Sequence, residues 1–363
     1  MFGKVYSGTR VFVTGHTGFK GSWLCLWLQQ LGAEVYGYAL EPETDPAHYA
    51  LLPLSCKTET GDIRDAEQLR RAIVDFQPEI VFHLAAQPLV RRSYTAPLET
   101  IQTNVLGTAN LFEACRHIDS VRAIVNITSD KCYENREWVW GYRENDPMGG
   151  YDPYSASKGC AELVTASWRN SFFPLEHYGD RHQTLVASAR AGNVIGGGDW
   201  SEDRLIPDMV RAIAAGKPVV IRNPQATRPW QHVLEPLSGY LLLGQKLLQG
   251  YTQYAEAWNF GPADEGSITV GEVVRQFKAN WDAFTYELRQ DAQQPHEAGL
   301  LKLDCSKARA LLNWQPVWNA VQALENTAAW YRMLYTQNAI QSEGDLNSYI
   351  QAARQSGVQW ARG

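Results

Sequence analysis

A chain of 363 residues is long enough for one large or two ordinary domains. With 45% hydrophobic residues, including 13 Trp, 17 Tyr and 11 Phe, it can bury a sizeable core, which excludes a peptide or a disordered chain. Thirty-three basic against 39 acidic residues give a net charge of −6, and the short clusters Arg70-Arg71 and Arg91-Arg92 build no basic stripe, which argues against a nucleic-acid backbone binder.

The first half alternates β-rich runs with helical spacing. Strands are predicted at 10–14, 34–39, 57–61, 79–83, 121–128 and 183–188, with helices at about 18–30, 65–75, 98–116 and 154–173. After Arg190 the texture changes to Gly, Pro and Trp clusters such as GNVIGGGDW and NPQATRPWQHV, with helices at about 207–215 and 234–248. AWNFG near 257 reads as an edge or late strand, and ITVGEVVRQF as a Thr or Ser start followed by a helix. From Asn319 the tail has helical spacing and is expected to pack on the outside. The expected fold class is α/β, a Rossmann-type doubly wound parallel sheet with a smaller, interleaved C-terminal substrate-binding domain. Residues 1–190 form the dinucleotide-binding domain, to which about 232–262 return; 191–331 form mainly the substrate region, and 332–363 a helical tail. Six cysteines, at 25, 56, 115, 132, 160 and 305, form no CxxC pair, no leader opens the chain, and the longest apolar runs are of strand length. A cytoplasmic location without a membrane segment is expected.

The strongest local signal is RVFVTGHTGFKGSWLCLWLQQLG, a strand, then Gly15, Gly18 and Gly21 at three-residue intervals, then an apolar helix. The first glycine permits a sharp turn, the second lets backbone amides approach a pyrophosphate, and the third removes a side chain where helix meets sheet. The GxxGxxG spacing lacks the Gly-Lys-Ser/Thr of a P-loop, which disfavours nucleotide hydrolysis. Glu41 ends the second strand with no Lys or Arg near it in sequence, as suits a free ribose diol, so NAD is favoured over NADP. Asp62 is placed either to accept from an adenine amino group or to shape the turn before the next helix.

Tyr154 and Lys158, four residues apart, share one helix face, where an ammonium can lower the phenol's pKa and turn it into a base for an alcohol proton. VNITSDKCYE places Ser129, with Thr128 as substitute, Asp130 and Lys131 where the fifth strand ends, the edge at which parallel sheets bind ligands. Alcohol oxidation alone needs neither Asp130 nor Lys131, so a second event such as elimination is suggested, beside the alternative of a charged surface turn. The histidines show no metal-ligand spacing, so no metal is expected; His83 and His232 read as structural. Trp200 and Trp230 either stack on a base or fill the core.

The segments GHTGFKG, HLAAQPLV, TNVLGT, TSDKCYEN and RAGNVIGGGDW, with the YxxxK pair, together resemble the extended short-chain dehydrogenase/reductase family of NAD-dependent sugar-nucleotide epimerases and dehydratases. Within it the likeness is to the branch acting on CDP-glucose, and it runs through RPWQHVLEP to LDCSKARALLNW. What the resemblance implies is a lyase of lipopolysaccharide sugar synthesis that holds NAD and regenerates it in each turnover. Tyr154 would take the proton of the glucose 4-hydroxyl, Lys158 would hold the nicotinamide ribose, and Ser129 would orient the hydroxyl. Asp130 would protonate the departing C6 hydroxyl. Lys131, where relatives acting on dTDP- and GDP-sugars usually carry glutamate, would be the C5 base or an enolate-stabilising cation. Asn104 matches the asparagine that steadies the active-site helix and a relay water. The same resemblance assigns cofactor contacts to Phe19, Lys20, Ile63, Leu84, Ala85, Ala86 and Thr103, and substrate contacts to Gln87, Asn193, Arg204 and Arg228. It implies a homodimer, or a tetramer of two, through the helices 98–116 and 154–173, with no nucleic-acid partner. A 4-epimerase and a non-catalytic NAD-binding protein remain the competing readings.

Overall fold

The computed structural model describes residues 1–221, 224–262, 267–281, 284–288 and 300–362; of the NPQATRPWQHV cluster only Asn223 lies outside. Seven strands make one parallel sheet: β1 Arg10–Thr14, β2 Glu34–Ala39, β3 Lys57–Thr60, β4 Ile80–His83, β5 Ala123–Ile127, β6 Leu185–Arg190 and β7 Ala257–Asn259. Their order is β7-β6-β5-β4-β1-β2-β3, so the direction of winding reverses between β1 and β4, the crevice where such sheets bind ligands. β4, β5 and β6 are buried along their whole length, which explains their unbroken apolar texture: helices cover both faces.

α1 Phe19–Gln30 is buried from Gly21 to Leu28, a helix apolar all round because it lies between the sheet and the C-terminal segment. α2 Ala66–Phe76 starts at Asp65, whose carboxylate caps Gln68 N at 3.0 Å. The helix expected over 98–116 is built from three pieces, Pro97–Ile101, a π-helical turn Gln102–Leu106, and α3 Gly107–Cys115. α4 Pro153–Ser171 has proline in its first turn and Asp152 as cap, accepting from Ser155 N at 2.9 Å. α5 Leu234–Leu248 is almost wholly buried, and β7 pairs with β6 with Trp258 opposite Ala189, so this late stretch lies within the sheet layer. Thr269 opens the helix Val270–Asn280 with a capping box closed by Glu272.

The tail departs from expectation. α6 Ala320–Gln337 runs straight through the boundary expected at 331, and α7 Ser342–Gln355 follows it. Both are part of the core: Trp330, Tyr331 and Tyr349 are fully buried, and Trp360 stacks on Phe2 with ring centroids 5.1 Å apart. Tyr331 explains the join, since its hydroxyl donates to Asp199 O at 2.5 Å and accepts from Asp199 N at 2.9 Å, fixing the GGGDW loop. Among the described residues no helix is long and apolar enough to cross a membrane.

Glu235, in the first turn of α5, holds the tail from beneath. Its carboxylate accepts from Trp318 N at 2.7 Å, Val317 N at 2.9 Å and the Tyr349 hydroxyl at 2.7 Å. Burial nevertheless pushes its pKa from the usual 4.5 to about 7, and burial does the same to Asp345. The folded protein therefore keeps a proton that the unfolded chain has already released. Stability falls as the pH rises from about 4.5 to about 7, by about 3 kcal/mol for Glu235. Urea unfolding at about pH 5 and about pH 8 reads this slope. Glu235→Gln, which imitates the protonated form, is expected to flatten it, and an unchanged slope in that variant refutes the assignment.

Candidate active site

The turn after β1 is shaped by its glycines. Gly15 has φ +73°, and a Cβ there would fall 2.7 Å from Ala85 N; one on Gly21 would fall 2.1 Å from Gly15 O. Gly18, the N-cap of α1, is exposed and would meet only Gly15 O, at 3.4 Å. The crowded side of the loop thus faces the protein, and the open side lies at a helix N-terminus, which fits the pyrophosphate of a dinucleotide. Leu84 N and Ala85 N bond to Thr14 at 3.1 and 3.2 Å, so the segment after β4, including half-buried Ala86, runs beside this turn. Phe19 opens α1 and lies against Gly196; Ile63 is buried against Gly107, and Thr103 is half-buried in the π-helical turn.

The acidic residues of this half differ in how free they are. Glu41 is exposed, with one oxygen accepting from the Thr60 hydroxyl at 2.7 Å. Asp62 is the turn former rather than a free acceptor: both its oxygens are taken by Arg64, from N at 2.8 Å and from the guanidinium at 2.8 and 2.5 Å. Basic residues absent from the sequence around Glu41 arrive through space, since Arg92 pairs with Glu43 at 2.8 Å.

The chemical groups meet where β5 ends. Ser129 and Asp130 are buried, and the Ser129 hydroxyl donates to Asp130 Oδ1 at 3.0 Å and accepts from Lys131 N at 3.2 Å. Lys131 is half-buried. Tyr154, on α4, lies close enough to Ser129 for the serine hydroxyl to lower the pKa of its phenol. Burial pushes the phenol up to about 12, against the Ser129 bond and the Arg204 charge, while Asp130 and Asp152 push the same way as burial. Lys158 is pushed down to about 8 by burial, opposed by Glu162 and Cys132. Among the charges that act most strongly on the Tyr154 phenol, Arg204 is the cation that lowers it, a contribution from across the site that the four-residue spacing to Lys158 did not suggest.

Asn104 uses its amide fully, donating to Ser157 Oγ at 2.8 Å and Gln87 O at 3.0 Å and accepting from Gln87 N at 2.8 Å. The π-helical turn that carries it thereby clamps α4 to the loop after β4. Gln87, expected to meet substrate, is spent on that loop: its amide donates to Leu89 O and Thr100 Oγ1 and accepts from Leu89 N, leaving no amide hydrogen for a ligand. Arg204 is brought to the centre. It pairs with buried Asp199 at 2.9 Å, and burial, then Arg204 and Lys158, push Lys20 down to about 8, with Asp130 and Asp199 opposing. Asn193 sits at φ +49° beyond β6, its carbonyl accepting from Gln231 N at 3.2 Å. Arg228 lies on a ribbon of Thr227–Pro229 against Ser267–Thr269, with one guanidinium nitrogen on Thr227 O at 3.0 Å.

Other candidates are structural. His83 bridges Thr14 and Thr108 at 2.7 and 3.1 Å, His232 packs 4.9 Å from the Trp318 ring, and burial lowers both to about 3. Trp200 and Trp230 fill the core. Among the described residues no cluster of His, Cys, Asp and Glu is arranged to hold a metal ion.

Two residues missed by sequence reasoning organise the site, Asp199 and Glu162. Glu162 is buried one turn beyond Lys158, pairs with Arg190 at 2.9 Å, and accepts from Ser188 at 2.6 Å and from Thr128. A charged residue on the same face as Tyr154 and Lys158 was the available signal. Arg190→Met leaves that carboxylate buried without its counter-ion and is expected to cost about 3–5 kcal/mol in urea unfolding. A loss under about 1 kcal/mol, the range of an exposed pair, removes the ion pair as the anchor.

The profile of the family described as GDP-mannose 4,6 dehydratase matches residues 12–327. The chain is 55% identical over 329 residues to the CDP-glucose 4,6-dehydratase of Salmonella typhimurium, covering 90% of this chain and 91% of that one. It is 27% identical to the dTDP-glucose 4,6-dehydratase of Haemophilus influenzae, covering 88% and 97%. Among solved structures, an epimerase of Methanothermobacter thermautotrophicus superposes with a TM-score of 0.78 at 24% identity, covering 92% and 95%. A UDP-glucose 4-epimerase of Thermotoga maritima superposes with 0.76 at 21%, covering 90% and 100%, and these two likenesses bear on the fold. The chain belongs to the GDP-mannose 4,6-dehydratase family, within the extended short-chain dehydrogenases/reductases.

Proposed function

We propose that this chain is an NAD-dependent 4,6-dehydratase that converts CDP-glucose to CDP-4-keto-6-deoxyglucose and water. The observation that carries the reading is a buried carboxyl group, Asp130, bonded to the same serine hydroxyl that reaches Tyr154. Oxidation at C4 needs Tyr154 and Ser129 alone; an acid beside them equips the site to expel a hydroxyl. The 55% identity to a CDP-glucose 4,6-dehydratase across 90% of the chain supports the choice of CDP-glucose.

NAD, when bound, would supply the hydride acceptor for oxidation at C4 and the hydride source for C6. Ser129 orients the sugar 4-hydroxyl and Tyr154, as phenolate, takes its proton. Lys158 holds the nicotinamide ribose, and the glycine turn with Lys20 faces the pyrophosphate. The 4-ketone acidifies the C5 hydrogen, which neutral Lys131 removes while Asp130 donates its proton to the leaving C6 hydroxyl; when hydride reaches C6, the ammonium of Lys131 returns a proton to C5, and the proton held by Tyr154 restores that of Asp130. Arg228, with Arg204 as a second cation, meets the substrate diphosphate, and Asn193 meets the sugar or the diphosphate. Exposed Leu98, Leu106 and Leu163, at 76%, 55% and 60%, lie on the helices that form a homodimer in this reading.

Incubation with NAD and, separately, CDP-, dTDP-, GDP- and UDP-glucose tests the function. Loss of one water by mass from CDP-glucose is expected. An unchanged mass with an inverted sugar centre makes the protein an epimerase, and no reaction with any of the four overturns the reading. Tyr154→Phe is expected to slow water loss by about 10²- to 10⁴-fold. In Lys131→Met, solvent deuterium exchange at C5 is expected to disappear while the 4-keto intermediate still forms; undiminished exchange sinks the lysine base. Leu98→Glu with Leu163→Glu is expected to turn the dimer into a monomer in sedimentation, and a dimer that survives both places its interface elsewhere.

A further inference from the structure

Asp130 is 3% exposed, and what lies against its carboxylate is the backbone of Gly192. A Cβ built on Gly192 would fall 1.9 Å from Asp130 Oδ2, 2.1 Å from Cγ and 2.5 Å from Oδ1, so the whole carboxylate occupies the space a side chain would take. Gly192 has no positive φ, unlike Asn193 beside it, so its backbone does not demand glycine; only the carboxylate does. The segment cannot easily retreat. Arg190, two residues earlier, is tied to Glu162 at 2.9 Å, the carbonyl of Gly192 accepts from Gln231 Nε2 at 3.1 Å, and the carbonyl of Asn193 accepts from Gln231 N at 3.2 Å. The Asp130 side chain, with rotatable torsions and one bond from Ser129, is the softer partner.

We infer that Gly192 is a positioning residue for the elimination step: its missing side chain is the seat of the Asp130 carboxylate, and a methyl group there would turn that carboxylate out of the site. This rests on the reading of Asp130 as the acid for the departing hydroxyl. The three heavy atoms nearest to a Cβ at Gly192 all belong to Asp130, so the first group that a methyl there displaces is that carboxylate rather than Ser129, Tyr154 or Lys158. The two halves of the reaction are thereby separable at one residue that is itself chemically inert.

The test compares Gly192→Ala, Asp130→Asn and the double variant, following reduced nicotinamide by its near-ultraviolet absorbance and water loss by mass after adding CDP-glucose. In Gly192→Ala the nicotinamide signal is expected to rise as in the unaltered protein, while water loss falls on the order of 10²-fold or more, the share of a general acid. Adding Asp130→Asn to Gly192→Ala is expected to slow water loss no further, since both remove the same function. Equal loss of oxidation and elimination, normal water loss in Gly192→Ala, or independent multiplying effects in the double variant each overturn the inference. Failure of the underlying reading shows elsewhere, as an Asp130→Asn variant that still eliminates water normally. Two measurements need no turnover. Gly192→Ala is expected to lower the urea midpoint in the natural background and much less in an Asp130→Gly background, even if Gly192→Ala alone folds poorly. A crystal structure of Gly192→Ala with the Asp130 carboxylate unmoved refutes the proposal whatever the activity.

Discussion

Glu162 keeps a charge where water does not reach, and three segments of chain converge to make that possible. Taking a carboxylate and a guanidinium out of water costs several kcal/mol per ion, recovered only with close geometry and further hydrogen bonds. Burial alone would raise the Glu162 pKa, but Arg190, Ser188 and Thr128 together hold it below the usual carboxylate range. Those donors sit at the ends of β5 and β6, while Glu162 itself is on α4. Ser129, Asp130 and Lys131 follow Thr128 directly, Gly192 and Asn193 follow Arg190, and Lys158 and Tyr154 precede Glu162 by one and two helical turns. The ion pair fixes the register of all three with respect to one another, which is why the catalytic groups fall together although they are scattered over 65 positions, from Ser129 to Asn193. Arg190 extends the clamp outward, bonding the Tyr133 hydroxyl at 2.6 Å, which in turn donates to Asn259 Oδ1 on β7 at 2.8 Å.

In front of this anchor the electrostatics are arranged by burial. Lys20 and Lys158 are both pushed down to about 8 by burial; Asp130 and Asp199 counter this at half-buried Lys20, where Arg204 and Lys158 add to it, and Glu162 counters it at buried Lys158. Lys20 and Arg204, which come from the cofactor turn and the substrate side, act on each other directly. A bound anion at this junction would relieve the repulsion and stabilise both cations, so cofactor and substrate phosphates and the fold support one another energetically. Asp199, buried and pinned through Tyr331 to α6, supplies the negative charge that keeps Arg204 in place without a ligand. The C-terminal helices therefore belong to the site as much as to the core.

What was legible in the sequence was what is local. The glycine turn, the Thr or Ser start of the helix Val270–Asn280, the span of α5 and the Tyr154–Lys158 spacing all depend on neighbours within one turn or strand, and the structure has them where local pattern put them, whereas the cap of α2 is Asp65 and not Asp62. The apolar texture of the tail was read as an outer layer because an amphipathic stripe does not say what covers it; Trp330, Tyr331 and Tyr349 meet partners more than 100 residues away, at Gly197, Asp199 and Glu235. The π-helical turn at Asn104 was hidden for a similar reason, since its extra residue answers to Gln87 and Ser157 rather than to helix propensity. Gln87 itself, a polar residue beside the site, gave no sign that its amide would be consumed by Leu89 and Thr100. Gly192 was least visible, because a glycine kept for space looks in sequence like any other loop glycine. The roles given to individual site residues rest on the family resemblance together with this geometry.

Ser129 shows how the two halves of the reaction are joined. A hydroxyl has one hydrogen to give and two lone pairs to offer. In this structure the hydrogen goes to Asp130 Oδ1, and one lone pair takes Lys131 N, capping the short 3₁₀ turn Asp130–Cys132. The bond to Tyr154 lowers the phenol's pKa only when the serine donates to the phenolate, which withdraws that hydrogen from Asp130. Tyr154 and Asp130 therefore compete for a single proton donor. In the proposed reaction, while Tyr154 is a phenolate the serine serves the base that oxidation needs; once Tyr154 has taken the proton of the sugar hydroxyl, the serine hydrogen is free to return to Asp130, the group proposed to act on the departing hydroxyl. One serine thus serves both proposed steps in turn, and it does so only as long as the seat at Gly192 keeps Asp130 within its reach.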